Sequence, residues 1–413
     1  MADQFHIERY RRSNREQVFD LMRVVYEPSE TARQIKQWAW RHDSNPFNGD
    51  AERYRIAKRP GLLPFVRGAA RSEDIAAMEL AKADAAGLDE PYCLMMKAGE
   101  QLAGIHCMIP QRVMIGGQWH WANIPSNYIV HPAYRGQRFS IRLTLTMRGD
   151  NTLTLGFANP SGQRSIRSAV QLMSDKASQA GSEGNRKING NKRLMPLFKP
   201  IDWRAVAGYF SRNRLLKQSA KLIGAGIEAA RKKIFRPPST REVNIVEVDS
   251  FDDRIDALWA RSCRDYPVIG ARDRRYLNWR FLARPDVSYR YLIALEGENI
   301  VGYMVFRVAN RDGLPTGYVI DYLVENRSRE VFSLLLEQAE NSMVEEGAKL
   351  ISCVLVAAPY RSMFWRSGYL AARPASTPHM NVLCHSADRA LEVFTDLSKW
   401  FLTMSDGDLD FSY

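Results

Sequence analysis

The chain has 413 residues, of which 45% are hydrophobic and 25% charged, and a formal net charge of +12. The length favours two or more domains over one core, the composition is that of a globular rather than a disordered protein, and no apolar run approaches the ~20 residues of a bilayer span. The basic balance points to a polyanionic partner: nucleic acid, an anionic membrane surface, a phosphorylated cofactor or an acidic carrier protein.

In chain order, "FHIERY" from Phe5 predicts a strand and "REQVFDLMRVVY" from Arg15 an amphipathic helix. Trp40-Arg41 follows, with Pro46 after four further residues, and residues 47–90 have the character of an inserted helical lid or loop. From Tyr92, "YCLMMKAGEQLAGIHCMI" predicts a hairpin turning at Gly99-Glu100-Gln101. A further β-run (123–130), a helix starting near Arg138 and the strand "TLTLGFAN" complete the series.

The same order then recurs. "VNIVEV" puts Ile245 34 residues before Trp279, as Ile7 lies 33 before Trp40, and Trp279-Arg280 is again followed after four residues by Pro285. "YLIALEGENIVGYMVFRV" repeats the hairpin, with Gly302 in the place of Gly104; 316–324 repeats the next strand and "SREVFSLLLEQAENSMVEEG" the next helix. Agreement in register over about 100 residues indicates a tandem duplication. The expected domains are 1–200, a basic helical linker over 201–241, and 242–413. The linker from Trp203 holds ten Lys/Arg against one acid, Glu228. It fits either a solvated connecting helix or a basic docking surface over 203–236.

The five cysteines, Cys93, Cys107, Cys263, Cys353 and Cys384, form no CxxC and have no histidine at metal-ligand spacing. They are expected to be free thiols in a reducing compartment, with no metal and a cytoplasmic location. The N-terminus is polar from the start and has no signal-peptide apolar region.

The order of strands and helices, with "VHPAYRGQRFSIRL" (130–143) between the fourth strand and its helix, resembles the GCN5-related N-acetyltransferase superfamily. The resemblance implies an α/β fold in two copies, each a mixed central sheet flanked by helices. It also implies acyl-CoA (acetyl-CoA) or an acyl-carrier protein as donor. It puts Ile129, Val130, His131, Arg135, Gly136, Gln137, Arg138, Phe139 and Ser140 at the cofactor, although Arg138 and Ser140 stand where the family has glycines. The physical basis is a strand that splays from its neighbour, followed by loop amides at a helix N-terminus that face a pyrophosphate. The second copy has "VENRSREVF" at the loop, with no glycine, but keeps a closing Arg366-Ser367-Gly368-Tyr369.

For acyl transfer to an amine, the resemblance implies a base near the fourth strand and a tyrosine acid on the closing helix. Aligning Val130 with Val324 sets Asn127 opposite Asp321; an amide cannot be a base, whereas Asp321 can but is equally suited to pairing at a sheet end. His120 and His131 are the other proton-transfer candidates, with a structural or cofactor-facing role as the alternative for His131. The tyrosine is missing: Ile166 and Trp365 occupy its place. Trp40, Arg41 and Arg280 are candidates for substrate contact, with packing of the helix on the sheet as the competing role. Asp406, Asp408 and Asp410 have the character of a solvated acidic tail, with a sugar or cation site as the alternative.

The runs "LNWRFLARP", "GFANP" and "WFLTMSDGDLDF" are similar to tandem members encoded with bacterial exopolysaccharide or cell-envelope synthesis. That similarity implies an amino-sugar or envelope-polysaccharide acceptor and a location reaching the inner membrane face. Two rival readings are Fem-like aminoacyl transfer from tRNA, and a non-catalytic binding or scaffold protein.

Overall fold

The computed structural model describes residues 5–51, 89–135, 153–158, 187–193, 196–210, 242–354, 356–371, 379–385 and 389–407. The strands are β1 (Phe5–Arg9), β2 (Cys93–Ala98), β3 (Gln101–Ile115), β4 (Gln118–Val130), β5 (Leu153–Ala158), β6 (Lys187–Arg193), β7 (Leu197–Pro200), β8 (Asn244–Val248), β9 (Val268–Gly270), β10 (Arg290–Glu296), β11 (Asn299–Arg311), β12 (Leu314–Val324), β13 (Leu350–Cys353), β14 (Leu370–Ala371), β15 (His379–His385) and β16 (Trp400–Phe401). The α-helices are α1 (Arg15–Val25), α2 (Pro28–Trp38), α3 (Trp203–Phe210), α4 (Arg254–Ser262), α5 (Arg274–Leu277), α6 (Arg329–Glu345) and α7 (Arg361–Arg366). Among the described residues no helix is long and apolar enough to cross a membrane.

The chain forms two compact units. The first comprises residues 1–192, 283–286 and 378–397, and its sheet runs β1-β2-β3-β4-β5-β15-β6. The second comprises 193–282, 287–377 and 398–413, with a sheet ordered β14-β7-β13-β12-β11-β10-β8. Both sheets are mixed: antiparallel meanders followed by a parallel step, β4 to β5 and β12 to β13.

The expected boundaries at 200 and 242 differ from these units. β15 lies antiparallel to β5 in the first unit, from His379 opposite Ala158 to Cys384 opposite Leu153. β7 lies antiparallel to β13 in the second unit and is further fixed by the buried pair Lys199–Glu340. A bare β5 or β13 would leave a row of backbone donors and acceptors unpaired, and each is covered by a strand from a distant part of the chain. The inserted segment is described only at 47–51 and 89–90, and of the basic linker only α3 and its approach are described.

Local chemistry accounts for the helices on which the site depends. In α1, Val18, Leu21 and Met22 are buried at helical spacing and meet Tyr10, Trp38, Met95, Ile105 and Ile129 in one core. α2 starts with Pro28 at its first turn, where a missing N–H costs nothing. The Ser328 hydroxyl accepts from the Val331 N–H to cap α6, which buries Val331, Phe332, Leu335, Leu336, Ala339 and Met343.

The approach of α6 to β11 requires a glycine. A Cβ on Gly302 would lie 2.7 Å from Val324 Cγ1, 3.0 Å from Val331 Cγ1 and 3.1 Å from Leu335 Cδ1. Gly302→Ala is therefore expected to destabilise the second unit by ~1–3 kcal/mol through overpacking. A urea-unfolding midpoint equal to wild type would refute it.

Candidate functional site

Each fourth strand of the meander carries a bulge, at neighbouring positions in the two copies. In the first unit Ile105 faces Ile129 but Cys107 faces Ser126, so Asn127 and Tyr128 together oppose His106. In the second, Val305 faces Asp321 and Phe306 faces Val319, which leaves Ile320 as the extra residue. Bulges bend a strand and break its pairing. β4 meets β5 in parallel at Asn123 opposite Thr154, and β12 meets β13 from Thr316 to Tyr318. The bulges lie beyond those pairs, four residues after Asn123 in β4 and two after Tyr318 in β12.

In the first unit the bulge is held from α2 and the π-helical turn that extends it, Ala39–Asp43. Asn127 has a left-handed backbone, φ 44. Its Oδ1 accepts from Arg41 Nη1 at 3.0 Å, from His42 Nε2 at 2.8 Å and from Ser126 Oγ at 2.9 Å, while its Nδ2 donates to Gln34 Oε1 at 3.0 Å. Arg41 also donates to Gln37 Oε1. Burial and the neighbouring Arg41 push the His42 pKa down to about 3, so the imidazole is neutral. Trp40 and Arg41 are 6% and 4% exposed. The expectation that they touch substrate is corrected, because both side chains are buried and Arg41 is engaged in fixing the bulge. π turns cluster at functional positions, and here the extra residue turns both Arg41 and His42 toward β4.

At the end of β4, Ile129 is buried opposite Ile105 and Val130 faces Gly104. His131 Nδ1 accepts from the Ala133 N–H, the Tyr134 hydroxyl donates to Gln101, and Arg135 Nε donates back to the Val130 carbonyl at 3.3 Å. Arg135 thus stands exposed just past the end of β4. Gly136, Gln137, Arg138, Phe139 and Ser140 lie outside the described residues, as does Ile166. His120 is on β4 but seven residues before Asn127, about 23 Å along an extended strand. The structure does not bring it to the bulge.

In the second unit the space beyond the bulge is filled by the protein itself. Tyr322 packs edge-on against Phe332, Tyr360, Phe364 and Phe401 with centroids 5.0–5.8 Å apart, and its hydroxyl accepts from the Ala357 N–H. Asp321 is fully buried. It accepts from Tyr303 OH at 2.7 Å, Thr403 Oγ1 at 2.5 Å and Arg272 Nε at 3.4 Å. Desolvation, partly offset by Arg272, raises its pKa, but enclosure on every side denies it the substrate contact a base needs. Its candidacy as a base is corrected to a structural anchor. Trp365 is exposed, and Tyr360 is buried against Tyr266 OH at 2.9 Å, so no tyrosine acid emerges there.

The partner of Asp321 was not foreseen. Arg272 is buried completely and donates to the Gly270 carbonyl at 2.7 Å and to Asp406 Oδ1 and Oδ2 at 2.9 and 2.5 Å. Burial opposes its charge, but Asp321 and Asp406 hold its pKa well above the ordinary value. Arg280 donates to the carbonyls of Met404, Ser405 and Gly407 at 3.2–3.4 Å. It too is architectural rather than substrate-facing. Asp406 is therefore no part of a solvated tail; Asp408 and Asp410 lie outside the described residues. The expectation of free thiols is also corrected for one pair, since Cys93 and Cys107 form a disulfide across β2 and β3. The thiols of Cys263 and Cys353 are buried.

No family profile matches the sequence, and no curated protein matches it. Solved structures do. A conserved protein of unknown function from Enterococcus faecalis, described as a probable N-acyltransferase, aligns with a TM-score of 0.51 at 12% identity, over 96% of this chain and 75% of its own. A GCN5-related N-acetyltransferase from Anabaena variabilis aligns with a TM-score of 0.48 at 11% identity, over 92% and 72%. N-myristoyltransferase from Saccharomyces cerevisiae with bound myristoyl-CoA gives 0.46 at 11% identity, over 94% and 80%. The first of these likenesses shows a shared fold across nearly the whole chain.

Proposed function

We propose that the protein is an acyltransferase that moves an acyl group from a CoA thioester to an amine, with the donor held by the N-terminal unit. The observation that carries this is the Asn127 bulge of β4, which lies beyond the parallel pair Asn123–Thr154 and is held in place by Arg41 and His42. Backbone groups on the inner side of a splayed strand suit the amides of a pantetheine arm. Arg135, exposed just past the end of β4, suits a phosphate. The corresponding space of the C-terminal unit is occupied by Tyr322 and its aromatic neighbours, which favours the N-terminal unit as the working half.

In the reaction the amine nitrogen attacks the thioester carbonyl carbon, the C–S bond breaks, and the amine gives up a proton as the thiolate leaves. Asn127 cannot accept that proton. The His42 Nε2–H is committed to Asn127, so neither serves as the base. The acceptor we favour is an amino sugar or envelope-polysaccharide precursor. The donor is acyl-CoA or an acyl-carrier protein whose acidic surface meets the basic stretch 203–236, at the inner membrane face.

The test is a thermal-shift panel of CoA, acetyl-CoA and longer acyl-CoAs, paired with detection of released thiol. A ligand at 100 times its Kd raises stability by about 2.7 kcal/mol. Arg135→Ala is expected to weaken binding by roughly tenfold or more, the loss of one charged hydrogen bond. If no thioester stabilises the protein or releases thiol, the proposal falls; retained RNA lost steeply with salt would point to aminoacyl transfer from tRNA instead.

A further inference from the structure

A second group of reactive side chains lies in the N-terminal unit and shares His42 with the Asn127 bulge. His42 from the π turn, Cys93 at the start of β2 and Cys107 on β3 bring an imidazole nitrogen and two sulfurs within 4.8 Å of one another. They are 1%, 0% and 0% exposed. The hairpin creates the sulfur pair: a bulge after Met96 shifts the register by one residue and sets Cys93 opposite Cys107.

The imidazole is prepared in the same way. Asn127 Oδ1 already takes hydrogen bonds from Arg41 and Ser126, and His42 Nε2 lies 2.8 Å from it, so the proton is on Nε2. The lone pair is then on Nδ1, which is buried with no hydrogen-bond partner. A buried acceptor left unsatisfied costs about 1–3 kcal/mol, and native proteins rarely keep one without a use for it. A histidine that donates one ring N–H to a carbonyl oxygen and keeps the other nitrogen bare has the arrangement found behind metal ligands.

We propose that in the reduced protein Cys93, Cys107 and His42 bind one divalent thiophilic cation of the Zn2+ class. A thiol reductant supplies two electrons and two protons to open the S–S bond, and is itself oxidised to a disulfide. The cation then displaces the two thiol protons, forming two metal–sulfur bonds and one metal–nitrogen bond. Two thiolates cancel the charge of a divalent cation and the imidazole is neutral, so the buried site carries no net charge. Bonds of about 2.3 Å to sulfur and 2.0–2.1 Å to nitrogen fit within the span of the three groups. A harder cation such as Mg2+ prefers oxygen ligands and is not served. Disulfide and cation compete for the same sulfurs. Through His42 and Asn127 the choice between them reaches the bulge of β4.

The test uses the full chain, reduced, loaded with Zn2+ and desalted, with metal content measured by elemental and native mass spectrometry. One Zn2+ per chain is expected. Cys93→Ser and Cys107→Ser should each lose it, His42→Ala should weaken retention by roughly tenfold or more, and Cys263→Ser should keep it. Titration with Cd2+ should produce thiolate-to-metal absorbance in wild type but not in Cys93→Ser. Should the serine variants fail to fold, thiol alkylation of the wild type decides: Zn2+ must slow modification of Cys93 and Cys107. Reduced, folded protein that retains no Zn2+, retention unchanged by Cys93→Ser, or alkylation rates indifferent to Zn2+ would each overturn the proposal.

Discussion

Arg272→Ala is expected to destabilise the C-terminal unit severely. The guanidinium sits between Asp321 and Asp406, all three with no exposure, and also holds Thr403 Oγ1 and Ser405 Oγ at 3.0 and 3.1 Å. Removing one member of such a group leaves uncompensated charge in the interior and costs about 3–5 kcal/mol. The second carboxylate makes the upper end the better guide. Against a total stability of about 5–15 kcal/mol for a folded domain, that is a large share. Arg272→Lys is expected to rescue little, because one ammonium cannot supply the fork that spans Asp406 Oδ1 and Oδ2 while reaching Gly270 and Thr403. Urea unfolding followed by tryptophan fluorescence checks this; a loss below about 1 kcal/mol, the level of a surface pair, would show that water reaches the site.

Alkali is expected to unfold the same unit sharply. Burial raises the hydroxyls of Tyr276, Tyr303, Tyr322 and Tyr360 above the ordinary value of 10, and pushes Tyr291 up to about 12. Below pH 10 these phenols are neutral whether folded or unfolded and contribute no pH dependence. Above it the unfolded chain loses protons that the folded chain keeps, so stability falls as pH rises. One group contributes up to about 1.4 kcal/mol per pH unit, and the four most deeply buried together about 5 kcal/mol. The unit should therefore unfold within about two pH units above 10, with tyrosinate absorbance and loss of tertiary signal rising together. Tyrosinate appearing gradually while the fold persists would contradict this. Tyr322→Phe should shift the transition to higher pH.

The duplication and the two meanders were legible because their signals are local. Gly99 and Gly297, with φ of 59 and 58, turn two similar hairpins, and alternating apolar residues mark strands on either side. The bulge after Met96 recurs after Ala294, again one residue's shift in the same hairpin, so the copies agree even in their irregularities. The disulfide was missed for the same reason: a regular hairpin turning at Gly99-Glu100 sets Cys93 opposite His106, and only the bulge moves Cys107 into place. The roles of Asp321 and Arg280 were not legible. Each is determined by residues 403–407, more than 80 positions away, and no short motif announces such a pairing. The covering of β5 by β15 was hidden likewise, since a strand's sequence reports its faces but not its edge partners.

The placement of β15 has a consequence for how the protein comes into being. On the ribosome, the N-terminal unit up to β6 emerges before the strand that covers β5, which lies at 379–385 and is synthesised only after most of the second unit. For the whole time that residues 194 to 378 are being made, β5 presents an open edge, the kind of surface on which chains join wrongly. The half of the protein translated first is thus among the last parts to be completed. A ribosome that stalls in the second half releases two unfinished sheets rather than one finished domain.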